Sequence, residues 1–358
     1  MKKKSIIILI ISVVVILLSA FFVIRYLHHQ PKSNGPNTRK MEVIEKKDEI
    51  EALRQNIHIS LKRYEEAVFA IDTTKMQEEV KRLGKEYPVF IAPDAWQNPS
   101  LLRQLKAFLK DPYIREIYRD VMNRYRDLSP LKSELQTALS YYKYYFPEAK
   151  IPEFFTVVGG IDPGNPFINT YNNMVIINLD WYLGKDYKYY QDYRIPQFIR
   201  EQCEPENIAL DCFRRSISYN PLVQKTPITL LDYMIMEGKR IYLTELVFPE
   251  IPVAHIIGYN NTQWAWAEKY QPDVWNYLIE NNLLFSKDND PIRRLIDEAP
   301  FSNPFGNDSP GRIGIFVGWM IVTQYMEKNP EITPKQLMQE ANSQTILNKS
   351  GYKPLKQN

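Results

Sequence analysis

The sequence predicts an α+β domain, mainly α, carried behind an N-terminal transmembrane helix. Three observations lead there. An uncharged apolar run opens the chain. Stripes of apolar residues at helical spacing fill most of the remainder. Short β-rich runs are confined to the middle, too few for more than a small sheet.

Ser5 to Ile24 reads SIIILIISVVVILLSAFFVI, without a charge. At 1.5 Å per residue it spans about 30 Å, the hydrocarbon thickness of a bilayer. Bulky Phe21, Phe22, Val23 and Ile24 follow Ala20, which disfavours cleavage as a signal peptide. No cysteine lies near this end, so lipid attachment to a thiol is excluded. Lys2, Lys3 and Lys4 favour an N-terminus inside and a domain outside the cytoplasm. Residues 1–25 are therefore expected as a signal-anchor. Residues 26–42, with QPKSNGPNT at 30–38, are expected as a linker, and 43–358 as one extracytoplasmic domain.

Helical spacing begins after Met41, with Ile44, Ile50 and Leu53 on one face. Ile57 to Leu61 is expected as a strand. Tyr64 to Gly84 is expected as two helices, with Asp72 capping the second. Leu101 to Leu109 forms a stripe. A second begins at Asp111-Pro112, a cap followed by proline at the first helical position. Pro130 opens a helix towards Phe146. FFTVV (154–158) and MVIINL (174–179) then read as two strands joined by a long turn-rich loop. Helices are expected again over 196–202, 205–217, 227–246, 263–284, 312–328 and 333–341, with Thr226, Ser309 and Thr333 as caps before proline.

Composition narrows function. Lys and Arg total 45 against 42 for Asp and Glu, but four of the basic residues sit in the first 25 positions, where there is no acid. The remainder is nearly neutral, so charge implies no nucleic-acid partner. Two cysteines exclude a thiolate-rich metal site, and of four histidines only His255 lies deep in the chain. Cys203 and Cys212 are nine apart, and whether they pair stays open.

Two segments carry candidate chemistry. In TPITLLDYMIMEGKRIYLTEL, Glu237 interrupts an apolar helix and needs a charged or hydrogen-bonding partner, either at a cleft or in an ion pair between helices. Arg240 lies on the same segment. In SPGRIGIFVGWMIVTQYM, Ser309, Gly311 and Arg312 form a candidate anion site at a helix N-terminus, with close packing at Gly314 and Gly318 as the plainer reading. The apolar run from Ile313 to Val322 is too short for a second span. The tyrosine-rich stretches YYKYYF (141–146) and DYKYYQDY (186–193) suit either packing or stacking on glycans.

Several segments together resemble the gliding-motility lipoproteins of the GldB family of the Bacteroidetes. They are LKDPYIREIYRDV (109–121), YYKYYFPEAKIPEF (141–154), NLDWYLGKDYKYY (178–190), IPQFIREQCEPENI (195–208), TLLDYMIMEGKRIYL (229–243), IIGYNNTQWAW (256–266), SPGRIGIFVGWMIVTQYM (309–326) and ILNKSGYKP (346–354). They run in family order over roughly 57–354. The family usually carries a lipid-modified N-terminal cysteine. Here an apolar anchor stands instead, which implies the inner membrane, with the domain in the periplasm.

The family is distantly similar to zincin-type metallopeptidases. That likeness implies a degenerate zincin-like domain in which Glu237-Gly238 matches the later zinc-ligand glutamate. The HExxH helix should fall near PQFIREQC (196–203), where there is no histidine and only Gln197 and Glu201 share a face. The resemblance therefore implies a pseudo-peptidase without metal or cofactor. Its partners would be the membrane and envelope proteins of the gliding or secretion machinery. The alternative is an envelope hydrolase acting on peptide or cell wall, with Glu237 and Glu201 as acid and base, around a candidate cleft of Glu237, Gln197, Glu201 and Arg240.

Overall fold

A computed structural model describes residues 46–164, 167–222 and 226–354. The signal-anchor expected at 1–25 and the linker expected at 26–42 lie outside the described residues.

Helix α1 (Lys47–Asn56) buries Ile50 and lies against a later helix, to which Arg54 donates at Thr137 and Ser133. The first strand, β1 (Leu61–Arg63), starts where the expected strand at 57–61 ends. It leads into α2 (Tyr64–Phe69) and α3 (Met76–Glu86). Asp72 does not cap α3: its carboxylate takes the Thr74 amide and hydroxyl in a local turn, and the helix starts four residues later. Helices α4 (Pro99–Lys110) and α5 (Pro112–Arg124) both begin with proline, behind the capping side chains of Asn98 and Asp111. The long α6 (Ser129–Tyr145) completes the helical layer on this side.

The sheet then closes around the second strand, β2 (Glu153–Val157). Its order is β1-β2-β4-β3, with β3 spanning Ile168–Tyr171 and β4 spanning Met174–Asn178. β1, β2 and β4 are parallel, with Phe154 opposite both Leu61 and Val175. β3 is an antiparallel edge strand, and it lies inside the stretch expected as loop. Asn172 and Asn173 both adopt positive φ, the two-residue turn that folds β3 onto β4.

Past the sheet come α7 (Lys188–Asp192), the single turn α8 (Gln197–Arg200) and α9 (Ile208–Arg215). Helix α10 (Leu230–Val247) follows. It begins at Thr229, which exchanges hydrogen bonds with Asp232 in a capping box, so the expected start at Thr226-Pro227 falls outside it. Then come α11 (Val253–Ile257), α12 (Asn261–Glu280), α13 (Asn289–Ile296) and α14 (Ile313–Lys328). Two short helices, α15 (Pro334–Gln339) and α16 (Ser343–Ser350), end the described chain, the first capped by Thr333 as expected. Mainly helical α+β is thus the observed class.

Two apolar clusters hold the unit together. One surrounds the sheet, with Phe154, Val175, Ile177, Leu135, Ile117 and Tyr142 buried in it. The other surrounds α10 and α14, with Met234, Ile235, Ile315, Phe316 and Val322 buried. Each such side chain contributes about 1.5–3 kcal/mol by leaving water. The two helices touch backbone to backbone. A Cβ on Gly318 would stand 1.9 Å from the Met234 carbonyl oxygen, and one on Gly238 would stand 2.4 Å from the Gly318 backbone. Gly314 similarly leaves room for the Leu295 carbonyl. The close packing read from the glycine spacing is present. Among the described residues no helix is long and apolar enough to cross a membrane.

One carboxylate in this core is only half satisfied. Asp180 follows β4 and accepts the Gly159 and Gly160 amides with one oxygen, at 3.1 and 2.7 Å. Its other oxygen is buried without a hydrogen-bond partner. Burial pushes its pKa up to about 7, against the pull of those two amides.

Candidate functional site: an arginine-lined cleft

The site is built from α9, α10, the start of α14 and the loop before it. In α9, Asp211 stands three residues before Arg214 and four before Arg215, so both guanidinium groups reach its carboxylate. Arg214 meets it at 2.7 Å and Arg215 at 3.3 Å. Tyr182 adds a hydrogen bond at 3.0 Å. Burial alone would raise the Asp211 carboxyl. Arg215 and Arg214 outweigh it and hold the group below the usual range. Arg214 also donates to the Ile256 carbonyl, Arg215 to Gln202. Arg215 further reaches Glu298 at 3.4 Å.

Helix α10 faces this network with Glu237 and Arg240. One nitrogen of Arg240 meets both Glu237 oxygens, at 2.7 and 2.6 Å. The same guanidinium donates to Ser218 Oγ and to the Arg214 carbonyl, and it lies over the Tyr219 ring at 3.4 Å. Glu237 and Arg240 are 8% and 5% exposed, so the pair is buried and internally satisfied.

Arg312 is held differently. It occupies the N-cap position of α14 with φ at +60°, a left-handed conformation that side chains other than glycine rarely adopt. The one hydrogen bond of its side chain among the described residues is a 3.3 Å contact to the Ile257 carbonyl. No carboxylate among them lies within 4 Å of it. Burial and then the charge of Arg214 hold its guanidinium below the ordinary value.

These groups line two cavities. The larger, about 590 Å³, is lined by the charged groups Glu237, Arg240, Arg215 and Asp297 and by the apolar Phe167, Trp181, Ile195, Ile199 and Ile315, with Arg215 lying over the Phe167 ring at 5.0 Å. The smaller, about 320 Å³, is lined by polar groups including Glu201, Gln202, Asn207 and His255. Arg214, Glu298 and Arg312 line both. Burial and Arg214 together lower the His255 pKa, and its Nε2 lies 2.8 Å from the Asn207 side-chain oxygen.

The residues singled out from sequence are thus dispersed. Glu237 and Arg240 lie in the larger cavity, Glu201 in the smaller. Gln197 lines neither, and its amide donates to Glu201 at 3.0 Å on the exposed turn α8. Ser309 does not cap a helix. Its hydroxyl donates to the Ser302 and Gly306 carbonyls, and α14 starts four residues later. The Gly311 carbonyl accepts from Tyr259, and a Cβ there would overlap the Ala299 carbonyl oxygen at 1.9 Å. The first helical amide, Ile313, faces Ser302 Oγ at 3.4 Å. Of the three anion-site candidates only Arg312 lines both cavities.

Asp211, Arg214, Arg215 and Glu298 were missed. The i, i+3, i+4 spacing of Asp211 with two arginines was a readable local signal. The approach of α10 to α9 is long-range and left no sequence mark.

Cys203 and Cys212 are free and buried. The tyrosine-rich stretches mostly pack inward. Tyr142 and Tyr190 are buried, and the Tyr187 and Tyr189 hydroxyls bind Asp120 and Glu116 of α5 at 3.0 and 2.5 Å. Among the described residues no group of three His, Cys, Asp or Glu could hold a metal ion.

Fold and site together define a mainly helical α+β protein whose cleft is organised by buried arginines. The chain belongs to the family described as gliding motility protein GldB, whose model matches residues 45–354. It is accordingly a gliding-motility-associated protein of the cell envelope. No curated protein and no solved structure matches it.

Proposed function

We propose that this protein is a membrane-anchored scaffold. It serves gliding motility, or the protein secretion associated with it, by binding envelope partners. Its domain is a zincin-like frame without zinc. The anchor sits in the inner membrane with the domain in the periplasm, a reading supported by the uncharged run Ser5 to Ile24 and the lysines before it.

The observation that carries the proposal is the state of Glu237. The residue that would complete a zinc site is instead closed against Arg240, one nitrogen of which meets both carboxylate oxygens, and Gly238 beside it serves the contact with α14. Where two histidines would be needed, Gln197 and Glu201 bond to each other. An amide and a carboxylate make a negligible zinc site, and no residue here fits the metal. The hydrolase alternative needs two converging carboxylates. Glu201 and Glu237 line different cavities, which argues against it.

Crosslinking and affinity capture from the native envelope, with the anchor intact, is the test. Recovery of discrete gliding or secretion components is expected. Metal analysis of the same purified protein is expected to find no stoichiometric zinc, and one tightly held zinc per chain would overturn the pseudo-peptidase reading.

A further inference from the structure

Three of the four cleft arginines have a carboxylate partner. Arg214 and Arg215 share Asp211, Arg215 also meets Glu298, and Arg240 holds Glu237. Arg312 has none within 4 Å among the described residues, and most of its donors are unused. A second donor beside it is also unused. Arg214 is only 6% exposed, and its Nε is buried with no hydrogen-bond partner. A buried guanidinium donor left unmatched is costly to the fold. Arg312, Arg214 and Glu298 are the three residues that line both cavities, so the unused donors of Arg312 belong to a residue in the wall the cavities share.

We propose that Arg312, in the lining of the larger cavity, binds the carboxylate of an organic monoanion whose apolar body lies among Phe167, Trp181, Ile195, Ile199 and Ile315. Planar guanidinium groups match a carboxylate's two oxygens. The charge is limited to one because Glu237, Asp297 and Glu298 line the same cavity and would repel a dianion. The apolar wall excludes a small hydrophilic anion as the preferred occupant. Two sources share this chemistry: the C-terminus of a peptide ending in apolar residues, and an aliphatic carboxylic acid. The inference rests on the reading given above of a protein that binds and does not hydrolyse.

Calorimetric titration of the full-length protein in a non-ionic detergent tests it with four probes. They are the peptide acetyl-Ala-Leu-Phe as free acid and as C-terminal amide, octanoate, and phenyl phosphate. At least one carboxylate is expected to bind, the acid at least tenfold more tightly than the peptide amide if the source is a peptide. Tighter binding of octanoate would assign the aliphatic source. R312Q is expected to weaken that binding at least tenfold, and R293Q, at an exposed side chain of α13, to leave it unchanged. Should R312Q not fold, the acid and amide on the unaltered chain decide the matter. Equal binding of acid and amide without octanoate binding, no binding of either carboxylate at millimolar concentration, or tighter binding of phenyl phosphate would overturn the proposal. Mass spectrometry of the recovered peptide separates the two readings: cleavage would sink the pseudo-peptidase and leave the ligand class standing.

Discussion

The two helices that meet at Gly238 and Gly318 each bring one arginine to the same cleft, and the two arginines are treated in opposite ways. Arg240 is enclosed: a carboxylate, a hydroxyl, a carbonyl and a tyrosine ring all engage it. Arg312 holds one long contact to a carbonyl from a left-handed backbone position. A charge closed by its neighbours belongs to the fold, and its removal leaves a partner stranded. A charge left open contributes little to the fold and is free for a ligand.

The largest expected effect lies at the closed end. Glu237→Ala strands Arg240 in a buried position and should destabilise the protein by about 3–5 kcal/mol in urea unfolding. A loss under about 1 kcal/mol would erase the contrast.

Asp180 extends the comparison to a carboxylate with half its partners. Its folded pKa of about 7 lies above the unfolded value of about 3.9. The folded form therefore keeps its proton across that interval. Its contribution is fully present below about pH 4 and is lost as pH rises towards 7. Asp180→Asn keeps an oxygen for the Gly159 and Gly160 amides and cannot ionise. It should flatten the fall in stability between pH 4 and 8, with a gain of up to about 4 kcal/mol at pH 8 over the native chain. Parallel pH profiles of the two proteins would sink the assignment.

Gly318→Ala tests whether the helix contact is as tight as the geometry requires. Its methyl would meet the Met234 carbonyl at 1.9 Å, so a loss of about 1–3 kcal/mol or more is expected, read as a lowered melting temperature. An unchanged midpoint would mean that α10 and α14 separate easily. The smallest effect belongs to the open end. Arg312→Gly relieves the left-handed backbone and removes no ion pair, so stability should stay within about 1 kcal/mol of the native chain.

Much of the fold was legible where the signal is local. Asp111-Pro112 and Thr333-Pro334 start helices because cap and proline act on the next few residues only. The same pattern misled twice. Thr226-Pro227 loses to Thr229, which has Asp232 to complete a reciprocal box. Ser309-Pro310 fails because Ser302 claims the Ser309 hydroxyl and the Pro310 carbonyl. β3 was hidden because INTY is followed by two asparagines that read as loop and in fact make the hairpin turn. At the site, Glu237 announced its need for a partner, and the partner came from its own helix. The meeting of α9 with α10, and the isolation of Arg312, depend on tertiary packing that no local spacing encodes.

The most direct test of the central claim, that Glu237 is a closed structural partner and not a ligand or base, is a double-mutant cycle of Glu237→Ala and Arg240→Ala in urea unfolding. The account predicts strong coupling, with the double variant losing less than the sum of the single losses by about 2 kcal/mol or more. Additive losses within about 0.5 kcal/mol would contradict it.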